Sequence, residues 1–146
     1  MSVKIISKYI GDDIVEITHT PSGNIIKTDL PLDNGGKGRT FSPTDLVASA
    51  LASCILTIMA KIASKENVDI KGSSIEIEKI MSDKPPRRIV AFRGKIKLPS
   101  MDSLKKKKIM SAIKTCPVTK SLHPDIKIEF VEEWTLTLII IGTKCV

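Results

Sequence analysis

Apolar and polar residues alternate with a period of two over three short stretches at the start of the chain. The alternation is loose in "VKIISKYIG" and cleaner in "DIVEITHT", where Ile14, Glu16 and Thr18 interleave with Val15 and Ile17. It returns in "GNIIKTDLP" after a "PSG" turn. Short runs of this period separated by turn chemistry predict three strands in an antiparallel meander. The following "LDNGGKGRTFSP" carries Gly35, Gly36 and Gly38 and predicts a flexible loop. It lacks the GxxxxGK[ST] spacing of a phosphate-binding loop.

At Ser42 the pattern changes. Ser42 at the N-cap, Pro43 at N1 and Asp45 at N3 make a variant capping box, which predicts a helix starting at 43. It should run to about residue 65, before "ENVDIKG". Its polar residues Ser49, Ser53, Thr57 and Lys61 recur every fourth position as one narrow stripe, and the rest is almost wholly apolar or Ala. A helix apolar around most of its circumference must be covered on more than one side.

Beyond it, "SSIEIEKIM" alternates cleanly and "RIVAFRGKIKLP" in part, predicting two strands joined across "SDKPPR". "SMDSLKKKKIMSAIKTC" predicts a second helix with Leu104, Ile109 and Ile113 on one side. Pro117 interrupts it, and "CPVTKSL" reads as a restart with Cys116 at N-cap and Pro117 at N1. "IKIEFVEEWTLTLIII" predicts a long strand or a bent pair of strands. Strands, a long helix, two strands, helix and strand together make an α+β domain spanning 1–146.

Composition narrows the classes. The opening residues lack the apolar core and small-residue cleavage site of a signal peptide, and Asp45 and Lys61 interrupt the apolar helix before it reaches the length of a bilayer span. The reading is a cytoplasmic protein with no membrane partner. The net charge of +7, with "LKKKKIM" and "KPPRRI" as its densest parts, invites nucleic-acid binding. Otherwise dispersed lysines, 3% aromatic residues and the absence of any recognition motif argue against it. Three cysteines (Cys54, Cys116 and Cys145) are too few and too far apart for a disulfide framework. With His19 and His123 as the only histidines and no C-x-x-C, a structural zinc site is not expected.

Cys54 raises the chemical question, because it sits inside the most apolar segment of the chain. It lies about 17 Å along its helix, too far for that helix's own dipole to act on it. If Cys54 is a nucleophile, a cation or another helix's N-terminus must reach it from outside. Cys116, at the break before Pro117, sits where unpaired backbone N–H groups favour a thiolate. Packing remains the plain alternative for each thiol. Asp45 reads first as a cap. His19 and His123 lie beside turns and read as surface residues, Cys145 as a bystander, and Trp134 and Phe130 as parts of the closing strand pattern.

"SPTDLVASALASC", followed about sixty residues later by "CPVTKSL", resembles the paired cysteine signatures of the OsmC/Ohr superfamily, the osmotically induced and organic-hydroperoxide-resistance proteins. The lead-in "SGNIIKTDLPLDNGGKG" is most similar to its less characterised OsmC-like branch. The resemblance implies an OsmC-like fold, in which two chains intertwine and long central helices pack against antiparallel sheets. It also implies a peroxidase of organic hydroperoxides needing no metal, haem or flavin. Cys54 would attack, Cys116 would resolve, and an external dithiol would reduce the resulting disulfide. Where the hydroperoxidase branch has a glutamate after the helix-start proline, this chain has Thr44, then Asp45. No arginine precedes Arg39, which leaves Arg39 as the nearest substitute for that branch's activating arginine. These departures keep open a second class, a protein that binds an apolar small molecule at the dimer interface.

Overall fold

The computed structural model describes residues 2–133 and 135–141. The chain divides into two compact units, residues 1–47 and 48–146.

In the first unit β1 (Ile5–Gly11), β2 (Ile14–His19) and β3 (Ile25–Thr28) form an antiparallel sheet in sequence order, the meander that the alternation predicts. Gly11, Asp12 and Asp13 carry the β1–β2 connection at positive φ (96°, 51° and 63°). Glycine adopts this region freely, and aspartate tolerates it better than most residues. After β3 the chain makes a short 3₁₀ turn at Leu32–Asn34, closed by Gly35 at φ 81°. Gly36 then lies so close to the Leu30 carbonyl that no β-carbon would fit.

The long helix α1 (Pro43–Lys65) starts where the capping box places it. The Asp45 amide donates to Ser42 Oγ at 3.1 Å, and the Ser42 amide donates to Asp45 Oδ2 at 2.7 Å. Each side chain thus satisfies a backbone donor of the other residue. Beyond residue 47, Ala48, Leu51, Ala52, Ile55, Met59 and Ala63 are buried along one stripe, whereas Ser49, Ser53, Thr57 and Lys61 are exposed. Leu56, Ile58 and Ile62 are only half-buried, so the apolar circumference is incompletely covered. Over an 18-residue window the helix has a mean hydropathy of 2.0, enough by length and composition for a bilayer span despite Asp45 and Lys61. Its buried stripe is that of a core helix.

In the second unit β4 (Ser74–Met81), β5 (Ile89–Lys97), β6 (Lys127–Glu132) and β7 (Thr135–Ile141) form a sheet in that order. The expectation of antiparallel sheets holds for the first sheet and for the β4–β5 and β6–β7 pairs, but β5 and β6 run parallel. The physical reason is the helical segment between them: a crossover returns the chain in its original direction, as a parallel pair requires. Alternation sorts the faces. Phe92, Ile96, Ile128 and Phe130 are buried, while Arg93 bonds Glu129 at 3.1 Å on the outer face. Gly94 stands opposite Phe130, whose ring fills the space a β-carbon would need.

The crossover holds α2 (Ser103–Met110), α3 (Ala112–Thr115) and α4 (Pro117–Ser121). Asp102 caps α2 by accepting from the Leu104 and Lys105 amides at 2.9 and 3.2 Å. Ile109 and Ile113 are buried as expected, but Leu104 is 70% exposed. The grouping of Leu104 with them is thereby corrected: five positions at 3.6 residues per turn place Leu104 about 140° round from Ile109. Phe130 is core, and Trp134 and Cys145 lie outside the described residues.

Because a Gly94 side chain would meet both the Phe130 ring and, at 3.0 Å, the Glu76 carbonyl oxygen, Gly94→Ala overpacks the sheet. Urea denaturation should show a loss of about 1–3 kcal/mol.

Candidate active site

Two cysteines come together in the second unit. α1 carries Cys54, half-buried; the α3–α4 break carries Cys116, fully buried. The Cys54 and Cys116 side chains lie close enough for each thiol to be felt by the other. They stay adjacent because the chain stops and restarts at Cys116. The Cys116 amide closes α3 on the Ala112 carbonyl at 2.9 Å, and Pro117, which has no N–H to lose, opens α4. Two residues on, the Val118 amide faces the Cys54 sulfur closely enough to favour its charged form. The group that must reach Cys54 from outside is therefore the first turn of another helix. This amide is invisible to sequence reading, because a backbone N–H has no residue type.

The electrostatics of the pair are opposed. Burial first, and then the neighbouring Cys116 thiol, push the Cys54 thiol above its ordinary value; the Val118 N–H pulls the other way and loses. A partly buried sulfur beside a second thiol holds its proton more tightly than one in water. Such an arrangement is suited to forming an S–S bond, since its partners already face each other as free thiols.

In the first unit, Arg39 is tied down on two sides. Its Nε donates to Asp29 Oδ2 at 2.8 Å and its Nη2 to Asp29 Oδ1 at 3.2 Å, while Nη1 reaches Asp12 Oδ2 at 2.5 Å and Nη2 the Asp12 carbonyl at 2.6 Å. Lys37 Nζ adds a contact to Asp12 Oδ1 at 2.5 Å. Arg39 is thus an anchor of the glycine loop. Asp29, whose side chain has no solvent exposure, also accepts from the Leu30 and Arg39 amides, both at 2.8 Å. The Arg39 guanidinium first, and those amides after it, hold the Asp29 carboxyl well below the usual carboxylate range. The Asp29 amide donates to the Phe41 carbonyl at 3.0 Å, closing the glycine loop at its base just before the α1 cap. Asp29 and Asp12 are functional in this structural sense, and sequence reading missed both. The available signal was Asp29 itself, an acid ending a strand opposite the basic stretch Lys37–Arg39.

Asp45 is the cap of α1, as its spacing implies. His19 is exposed and paired through Nδ1 with Ser22 Oγ at 2.7 Å; His123 is exposed with Asp125 at 3.6 Å. Among the described residues no group of three His, Cys, Asp or Glu side chains could hold a metal ion.

The family described as OsmC-like protein matches residues 36–131, more than half of the chain and across both units. A crystal structure from Psychrobacter arcticus, described as an osmotic stress induced and detoxification response protein, is 40% identical, with a TM-score of 0.83 over 91% of this chain and 96% of that one. The organic hydroperoxide resistance protein OhrB of Bacillus subtilis shares the fold at 18% identity, with a TM-score of 0.67 over 91% of this chain and 98% of that chain. An uncharacterized protein of Acinetobacter baylyi is 27% identical over 115 residues, 76% of this chain and 80% of its own.

Because Asp29 is depressed when folded and ordinary when unfolded, its contribution to stability is complete at neutral pH. It erodes as pH falls below about 5 and is gone below the folded value. Thermal melts should therefore show Asp29→Asn less stable than wild type at pH 7, with the difference shrinking toward pH 2.

Proposed function

The chain belongs to the OsmC-like family, and on that premise we propose that it is a thiol-dependent peroxidase that reduces organic hydroperoxides through a two-cysteine cycle. What supports this reading is the closeness of the Cys54 and Cys116 thiols, which sets the more accessible sulfur against a buried one. The Cys54 thiolate attacks the terminal oxygen of the hydroperoxide. The O–O bond breaks, the alkoxide takes up a proton and leaves as an alcohol, and Cys54 becomes a sulfenic acid. The Cys116 sulfur then attacks Cys54, and the displaced hydroxide takes the Cys116 proton and departs as water. An external dithiol restores the two thiols. No metal, haem or flavin enters these steps.

The same reading takes the protein as a cytoplasmic homodimer. β1 shows Ile5 and Tyr9 on one face and Ile6 on the other, all exposed, with Tyr9 at 64%. β3 adds exposed Ile25 and Ile26. A single chain rarely leaves this many large apolar side chains exposed on one small sheet, and α1 too is incompletely covered. A second copy that covers the exposed part of α1 around Cys54 would dry the surroundings of the thiols, which favours an alkyl hydroperoxide over hydrogen peroxide.

The raised Cys54 value favours one alternative: a weakly reactive thiol in a protein that binds an apolar small molecule at the dimer interface. Co-purified ligand in native mass spectra, with thiols inert to hydroperoxide, would establish it.

Two measurements test the peroxidase. Cumene hydroperoxide should be consumed with dithiothreitol as reductant, and Cys54→Ser should abolish consumption; equal slow rates for the two proteins refute the enzyme. Because the thiolate fraction of Cys54 grows with pH below its raised pKa, kcat/KM should climb about one log unit per pH unit from about pH 6.5 to 8.5. A plateau already reached at neutral pH contradicts that assignment.

A further inference from the structure

Although lysines occur along the whole chain, their excess over acids falls largely in one segment. Residues 103–124 contain six lysines (Lys105, Lys106, Lys107, Lys108, Lys114 and Lys120) and no aspartate or glutamate. Outside that segment seventeen lysines and arginines face sixteen acids. Almost the whole excess therefore lies on α2, α3 and α4, the segment that carries Cys116. Two of the six are neutralised: Lys106 pairs with Glu132 at 2.7 Å and Lys108 with Glu66 at 3.0 Å. Lys105, Lys107, Lys114 and Lys120 have no acidic partner among the described residues. Lys107, Lys114 and Lys120 are exposed, and the last two bracket Cys116 in sequence.

We propose that these lysines form a ridge that is the docking surface for an acidic protein that delivers a dithiol to the Cys54–Cys116 disulfide. The proposal rests on the peroxidase reading for the need of a reductant, and on the ridge for its chemistry. The half-buried Cys54 sulfur is the one an incoming thiolate reaches, and the buried Cys116 is the leaving group. The partner's thiolate attacks Cys54, the S–S bond breaks, and Cys116 leaves and takes the proton that the partner's first thiol gave up. The partner's second thiol then closes its own disulfide on the mixed one, and its proton passes to Cys54. Two electrons and two protons leave the dithiol, and two cysteines regain them. Four unneutralised cations on the helical segment that carries Cys116 raise the encounter rate of an anionic carrier by about 10- to 1000-fold and do nothing for a neutral one.

A nucleic acid would feel the same field. The described aromatic side chains of the second unit, Phe92 and Phe130, are fully buried, however, so no base-stacking platform accompanies the lysines.

The test uses protein oxidised with diamide and two synthetic dithiol peptides, each with a central Cys-Gly-Pro-Cys, one flanked by glutamates and the other by glutamines. Disulfide loss is followed by thiol trapping and mass spectrometry. At about 20 mM ionic strength the glutamate peptide should reduce wild type about tenfold faster than the glutamine peptide. That preference should vanish at about 0.5 M salt. It should also vanish in the quadruple variant Lys105→Gln, Lys107→Gln, Lys114→Gln, Lys120→Gln, while dithiothreitol reduces both proteins alike. Equal rates for the peptides, or a preference that survives in the variant, overturns the proposal. So does poly(U) binding lost in the variant while the peptides react equally, which assigns the ridge to nucleic acid. If diamide forms the disulfide but cumene hydroperoxide does not, the peroxidase reading fails and the docking result stands. If diamide forms none, both fall.

Discussion

The contact between the Cys54 and Cys116 side chains is the constraint on which the chemistry of this protein depends. It joins the middle of a long helix to a point where two short helices meet, positions about sixty residues apart in the chain. Pro117 makes the junction possible. It ends one helix without sacrificing a hydrogen bond and starts the next, so the Cys116 sulfur and the Val118 amide converge on Cys54 together. Moving the break by one residue would rotate Cys116 by about 100° on its helix and separate the sulfurs.

That contact has an electrostatic cost. The same burial that sets the sulfurs face to face disfavours charge on Cys54, and a single amide does not reverse it. Two adjacent thiols with raised proton affinity at Cys54 are well placed to become a disulfide and poorly placed to be a fast nucleophile at neutral pH. The free lysines on the segment carrying Cys116 suit the later half of such a cycle, in which the bond formed must be opened again by an outside thiol.

The first unit solves a different problem. Its glycine-rich loop would be floppy by composition, yet the buried carboxylate of Asp29 gathers the Arg39 side chain and two amides, and Asp12 holds Lys37 and Arg39 from the neighbouring hairpin turn. A carboxylate can be this buried only because four donor contacts replace its lost water. Removing one partner would leave the other uncompensated. The loop is therefore held by a few directional charges instead of by a core.

What the sequence determined by itself is local and periodic. Period-two alternation placed the strands, and Ser42, Pro43 and Asp45 placed the start of α1, because capping and register are settled within a few neighbouring residues. The two cysteine motifs were legible for the same reason, and so was the family they resemble. Three matters were decided only in three dimensions. The parallel pairing of β5 and β6 depends on the path of the crossover helices. The partnership of Asp29 with Arg39 joins a strand end to a loop that the sequence reads only as flexible. The Val118 amide at Cys54 belongs to the backbone and carries no side-chain signature. Each of these is an interaction between distant segments, and no local pattern encodes which distant donor will meet which acceptor.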